Sequence, residues 1–150
     1  MQINQNFFNY IKPFLVKLKE EIGDDFVVFG SAPLYLLGIV DFKESFNDLD
    51  ITIRDVANIP NSAEVVTFHN NPAQKFYKIK IDGMNIDIAS TWPGYEEFFE
   101  KIFTKPIIVE GFKFANLDIV EEFKNEMVKK YNRQKDKDYL EKIKQFRSSK

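Results

Sequence analysis

The sequence predicts an α+β chain built around one central sheet. Three observations carry that prediction. An apolar stripe at helical spacing runs from about Ile3 to Ile22, short strand-like runs including one strongly marked hairpin fill the stretch from Phe26 to Ala89, and two more amphipathic stretches follow Asn116. The length of 150 residues suits one domain, 1–150, with a core over about 24–115 and C-terminal helices over about 116–147. Sixteen Phe, six Tyr and one Trp give such a domain ample bulky core material.

In the first stretch Ile3, Phe7, Phe8, Ile11, Leu15, Leu18 and Ile22 share a face, and Gly23 is the stop. Pro13 lies inside it, so a kink or a break is expected there. Phe26–Phe29 is a continuous apolar run, the mark of a strand buried on both faces. Ser31 is placed to cap a short helix through Leu37, with Pro33 in its first turn and Gly38 as terminator. From Asp48 to Arg54 the chain alternates: Leu49, Ile51 and Ile53 face one way, Asp48, Asp50, Thr52 and Arg54 the other. Glu64–Phe68 is a further, weaker strand. Two alternating runs from Phe76 to Ala89 flank Asp82-Gly83, a strong hairpin turn. A two-residue turn pairs Ile81 with Met84, Ile79 with Ile86 and Tyr77 with Ile88, and on the polar face Lys80 with Asn85 and Lys78 with Asp87. Gly94–Phe103 reads as a short helix and Ile107–Phe114 as an extended pair around Gly111. Asn116 or Asp118 caps a helix that buries Val120, Phe123, Met127 and Tyr131; a last helix uses Tyr139, Leu140, Ile143 and Phe146.

Apolar residues at 44% and charged residues at 29% exclude a disordered polyelectrolyte. A net charge of −2 argues against a strongly basic nucleic-acid binder. The absence of Cys excludes a disulfide scaffold and a thiolate zinc site and suits a reducing compartment. No apolar run approaches the roughly 20 residues of a membrane span, so no membrane association is expected. Met1–Asn6 carries no basic flank followed by an apolar stretch, so no secretory signal and a cytoplasmic location are expected.

Two features bear on chemistry. A strand running into Gly30-Ser31 and then a helix presents unpaired backbone N–H groups where a phosphate is favoured, and the Ser31 hydroxyl can donate to it. Asp48 and Asp50 project from one strand face about 7 Å apart. Asp87 lies on the polar face of a second strand. Three carboxylates on one side of a sheet repel one another unless a cation holds them, and hard oxygen donors suit Mg²⁺ or Mn²⁺. That requires the three carboxylates to converge in the folded chain. Read singly, Gly-Ser is an ordinary turn and Asp-x-Asp a solvated strand face. Lys78 is expected to form a cross-strand ion pair with Asp87, or to touch a phosphate at the site edge. Arg54 reads as surface charge, the cluster of Lys124, Lys129, Lys130 and Arg133 as a solvated helix face or else a contact to a nucleotide or nucleic-acid phosphate, Trp92 as core or lid packing or else a stack on a base, and His69 has no role.

In combination, Phe29-Gly30-Ser31, Asp48-Leu49-Asp50-Ile51 and Ile86-Asp87-Ile88 resemble the DNA polymerase β-type nucleotidyltransferase superfamily. Asn132–Leu140, with its Arg-x-Lys-Asp stretch Arg133-Gln134-Lys135-Asp136, is similar to a segment of its small members, the antibiotic and abortive-infection nucleotidyltransferases. The resemblance spans roughly residues 24 to 146. It implies the nucleotidyltransferase fold, a mixed central sheet flanked by helices with further helices at the C-terminus. It also implies transfer of a nucleoside monophosphate from a nucleoside triphosphate to a hydroxyl, with release of pyrophosphate. Gly30 and Ser31 would hold the triphosphate, with Lys78 and Lys135 as further nucleotide contacts. Asp48 and Asp50 would bind the metal ions, Mg²⁺ or Mn²⁺. Asp87 would bind the catalytic one and help deprotonate the acceptor. Lys135 and Asp136 would order the C-terminal helices. The acceptor stays open among a small molecule, a protein and an RNA end, as does a partner chain or homodimer completing the site. Lys43–Asn47 holds no Arg, a departure from many antibiotic-modifying relatives. The alternatives are a catalytically inactive, antitoxin-like interaction module of the same fold and a metal-dependent phosphodiesterase.

Overall fold

In a computed structural model, which describes residues 2–68, 71–90 and 92–149, the chain is an α+β protein with a seven-stranded mixed sheet. Helix α1 (Gln5–Ile22) leads into β1 (Phe26–Phe29) and the short α2 (Ala32–Leu36). Strands β2 (Asp48–Ile53), β3 (Glu64–Phe68), β4 (Asn71–Ile81) and β5 (Met84–Ala89) follow, with one 3-10 turn at Val56–Asn58. Then come α3 (Glu96–Ile102), β6 (Ile107–Val109), β7 (Phe112–Phe114), α4 (Leu117–Tyr131) and α5 (Gln134–Ser148).

The strand order is β3-β4-β5-β2-β1-β7-β6. β2 is antiparallel to β1 and parallel to β5, and β7 runs parallel to β1 on its other side. The hairpin has the register its pattern demanded, with Ile81 opposite Met84, Ile79 opposite Ile86 and Lys78 opposite Asp87. Asp82 and Gly83 turn with φ of 48° and 85°, as a two-residue primed turn requires. β4 starts at Asn71, five residues before the expected Phe76.

Both faces of the sheet are covered, which is why β1 is apolar throughout. Val28, Leu49, Ile51, Ile86 and Ile88 pack with Phe7, Phe8, Ile11, Leu15 and Leu18 of α1. On the opposite face Val27 and Phe29 join Phe99 and Ile102 of α3, Ile119 and Val120 of α4, and Ile143 of α5. The same second layer buries Thr52, a position the alternation had assigned to a polar face.

Four expectations need correction. α1 is continuous through Pro13, without the break that was one of the two outcomes expected there, and begins at Gln5, because the Asn4 side chain accepts from the Phe7 N–H at 3.1 Å and fixes the start. Ser31 occupies the cap position of α2 but makes no side-chain capping bond, since its own backbone is already helical (φ −89°, ψ −14°). Tyr131, placed in the core by its spacing, is 51% exposed at the end of α4. Lys124, read as surface charge, is 6% exposed. The region of His69 lies outside the described residues. Among the described residues, no helix is long and apolar enough to cross a membrane.

Candidate functional site

The two chemistry-bearing motifs meet at one end of the central strands. Phe29, the last residue of β1, is opposite Asp50 on β2; Asp50 is in register with Asp87 on β5; Asp87 is opposite Lys78 on β4. One row of residues therefore crosses four adjacent strands. Gly30 follows Phe29 with φ of 65°, and a Cβ there would lie 2.1 Å from Asp50 Oδ2. The bend after β1 thus takes the Asp50 carboxylate against its bare Cα, which no other residue allows.

Asp50 is exposed to solvent on the lining of a cleft, and the protein walls of that cleft crowd its carboxylate. That crowding pushes its pKa up to about 6; the neighbouring charge of Asp87 adds to the rise, Lys124 opposes it, Asp48 adds, and Lys135 opposes. Asp87 Oδ1 accepts from Lys78 Nζ at 2.9 Å, the expected cross-strand pair, and that bond holds the Lys78 ammonium above its ordinary pKa. Asp48 sits two residues back along β2, at an exposed position opposite Asn85.

Two cavities flank this row. The larger, of about 680 Å³, has Gly30, Asp50 and Asp87 at one end and the rings of Trp92, Phe98 and Phe123 in its wall. The smaller, of about 240 Å³, is lined by Ser31, Lys43, Asp48, Lys135 and Tyr139 among others. Asp50 and Asp87 therefore share the larger cavity, while Asp48 faces the smaller one together with Ser31 and Lys135. Among the described residues no three acidic or histidine side chains are gathered closely enough to share one metal ion. The donor chemistry still suits a hard cation at Asp50 and Asp87, two adjacent carboxylates whose mutual charge raises the pKa of one.

The remaining candidates sort by location. Arg54 pairs with Glu100 at 2.8 Å and stacks over Phe103 at 4.0 Å, a surface role away from the row. Trp92 packs as expected, 9% exposed among Phe29, Phe98 and Phe123. Lys130 and Arg133 line the larger cavity, where Lys130 donates to the Tyr95 hydroxyl at 2.8 Å. Asp136 is 1% exposed; it accepts from Arg133 Nε at 2.8 Å and stands 3.6 Å from Lys124 Nζ, so it ties the start of α5 to α4.

Sequence reasoning missed Lys124. Its ammonium lies 4.6 Å over the Tyr139 ring, and burial lowers its pKa against the opposing pull of Asp136 and Asp50. The signal was faint: Val120 and Met127, already assigned to the apolar face, bracket Lys124 at i−4 and i+3, the spacing of a shared helix face. The aromatic wall was missed too, because Trp92, Phe98 and Phe123 come from different segments that only the fold brings together. Compared with protein families, curated proteins and solved structures, the chain matches none.

Proposed function

We propose that the chain is a nucleotidyltransferase-fold enzyme that moves a nucleoside monophosphate from a nucleoside triphosphate to a hydroxyl acceptor, with a divalent cation as cofactor. One observation carries this reading: the Gly30 bend, Asp50 and Asp87, far apart in sequence, stand side by side on three adjacent strands. The order of the motifs resembles that of the superfamily, although the sixteen residues from Ala32 to Asn47 make a longer gap than its shortest pattern. Asp50 and Asp87 would hold Mg²⁺ or Mn²⁺, while Asp48, two residues back on β2, lines the smaller cavity and is not gathered with them. When bound, the ion would polarise the phosphate and offset charge on the leaving group.

The chain's own residues then divide the work. Ser31, Lys43 and Lys135 give the smaller cavity a hydroxyl and two ammonium groups, a setting for the triphosphate. The acceptor approaches from the larger cavity. Its hydroxyl oxygen attacks the α-phosphorus, a new P–O bond forms, the bond to the α,β-bridging oxygen breaks, and pyrophosphate leaves. The hydroxyl proton passes to the Asp87 carboxylate, the base of this reading. Lys78 fixes the Asp87 carboxylate for that role. Catalysis of this kind rests on positioning and charge, not on covalent chemistry by the protein.

The test is incubation with each labelled nucleoside triphosphate and Mg²⁺ in a lysate of the native host. Label should enter an acceptor, and Asp48→Asn and Asp50→Asn should each lower transfer by about a hundredfold or more, the usual loss when a site surrenders a charge-stabilising group. A second reading is a non-catalytic module with the same architecture, favoured by the lack of three gathered carboxylates among the described residues. Nucleotide binding without transfer would support it and end the enzymatic reading.

A further inference from the structure

The larger cavity has a chemical character of its own. Trp92 and Phe98 stack with centroids 5.3 Å apart, and Phe123 stands 5.1 Å from Trp92 and 5.7 Å from Phe98, so its wall is a continuous aromatic surface. Tyr131 adds a half-exposed ring to its lining. Such surfaces hold planar rings by stacking. A volume of about 680 Å³ is in the range of drug-sized ligand sites.

Two observations narrow the ligand. First, among the described residues the Trp92 indole N–H is buried without a hydrogen-bond partner, in a residue 9% exposed. A buried donor left unpaired is costly, and a ligand carbonyl or ring nitrogen that displaced the side chains covering it would satisfy it. Second, the charges in the lining are nearly balanced and mostly engaged. Asp50, Asp87 and Glu126 oppose Lys130 and Arg133; Asp87 is bonded to Lys78, Lys130 to Tyr95 and Arg133 to Asp136. Nothing there selects a polyamine or a chain of phosphates.

We propose that this cavity binds a small, planar, near-neutral ring compound that carries a hydroxyl toward Asp50 and Asp87 and a hydrogen-bond acceptor toward the Trp92 indole. Taken with the nucleotidyltransferase reading, on which this last step rests, that compound is the acceptor. An amino sugar, rich in ammonium groups and lacking a planar ring, does not fit.

Trp92 is the only tryptophan in the chain, so its emission reports on this cavity alone. The full chain is titrated without nucleotide or metal, with 7-hydroxycoumarin as the planar probe and kanamycin as the polyamine. The expected result is a saturable change in Trp92 emission with 7-hydroxycoumarin and none with kanamycin. Tyr131→Ala and Phe123→Leu should each weaken coumarin binding by about tenfold, the loss of one stacked ring. Tyr131 is half-exposed, so its replacement keeps the test valid if Phe123→Leu fails to fold. Saturation by kanamycin instead, binding of neither probe, or coumarin binding equally tight in wild type and Tyr131→Ala overturns the inference. Adding Mg²⁺ and each nucleoside triphosphate separates the two readings. Coumarin that binds but never receives a nucleotide supports the cavity assignment and counts against this compound class as acceptor; transfer to kanamycin without coumarin binding sinks the cavity assignment and leaves the enzyme standing.

Discussion

Gly30 is the residue on which the site geometry turns. At φ of 65° an L side chain is strained by about 1–2 kcal/mol, whatever surrounds it. Gly38, at φ of 73°, carries the same backbone burden, but a Cβ there meets nothing within 4 Å. A Cβ on Gly30 would meet Asp50 Oδ2 at 2.1 Å, Cγ at 2.9 Å and Cβ at 3.0 Å. The carboxylate oxygen can swing aside; the Cβ is fixed by the pairing of β2 with β1 and β5. Gly30→Ala is therefore expected to cost at least about 1 kcal/mol more than Gly38→Ala, an overpacking penalty on top of shared backbone strain. Urea unfolding of the two variants measures the difference, and equal midpoints would mean that Gly30 does not shape the Asp50 pocket. The Gly-Ser turn was readable in the sequence, as was Asp50; their direct contact was not, because it joins positions twenty residues apart through strand pairing.

At the scale of elements, α4 and α5 are clasped through a buried ion cluster. Lys124 and Arg133 both reach Asp136, and the Lys124 and Asp136 side chains are 8% and 2% exposed. Removing one member of such a cluster leaves a buried charge uncompensated. Asp136→Ala is expected to destabilise by about 3 kcal/mol. Glu122→Ala, which breaks the half-exposed pair with Lys101, should cost no more than about 0.5 kcal/mol. Chemical denaturation of both variants checks the contrast; similar losses would show that the cluster is not a clasp. This is also where legibility in the sequence divides. The register of the β4–β5 hairpin was legible, though not the start of β4 at Asn71, because period-two alternation on both sides of Asp82-Gly83 leaves only one register that keeps Ile79, Ile86 and Ile88 off the solvent. β1 was legible from four apolar residues in a row. Lys124 was not, because a lysine in an amphipathic helix ordinarily belongs to solvent, and it is Asp136 and the Tyr139 ring, both from α5, together with Asp50 that make its burial tolerable. Tyr131 failed for the opposite reason: its spacing fits the apolar stripe, but α4 outruns the core beneath it.

For the whole molecule, the strained electrostatics of one site should appear in the stability curve. The Asp50 pKa rises from an ordinary 3.8 to about 6 in the folded chain, first through crowding by protein, then through Asp87. Between those values the unfolded chain has lost the proton that the folded chain still holds. Stability therefore falls as pH rises from about 4 to about 6, then levels once both states are ionised. Other carboxylates titrate nearby, so the diagnostic quantity is the difference between wild type and Asp50→Asn, whose site carries no such charge. The variant should gain stability relative to wild type across that window and keep the gain at neutral pH. Urea midpoints at constant ionic strength, taken at several pH values, measure it. A cation bound by Asp50 and Asp87 acts in the other direction. Mg²⁺ or Mn²⁺ favours the ionised, folded form by mass action and should raise the wild-type midpoint at neutral pH while leaving Asp50→Asn unmoved. Parallel pH curves for the two proteins would remove the electrostatic basis of the site. Diverging curves with no response to either metal would keep the basis and remove the cation, leaving a carboxylate pair that the fold holds under repulsion without the ligand the enzymatic reading requires.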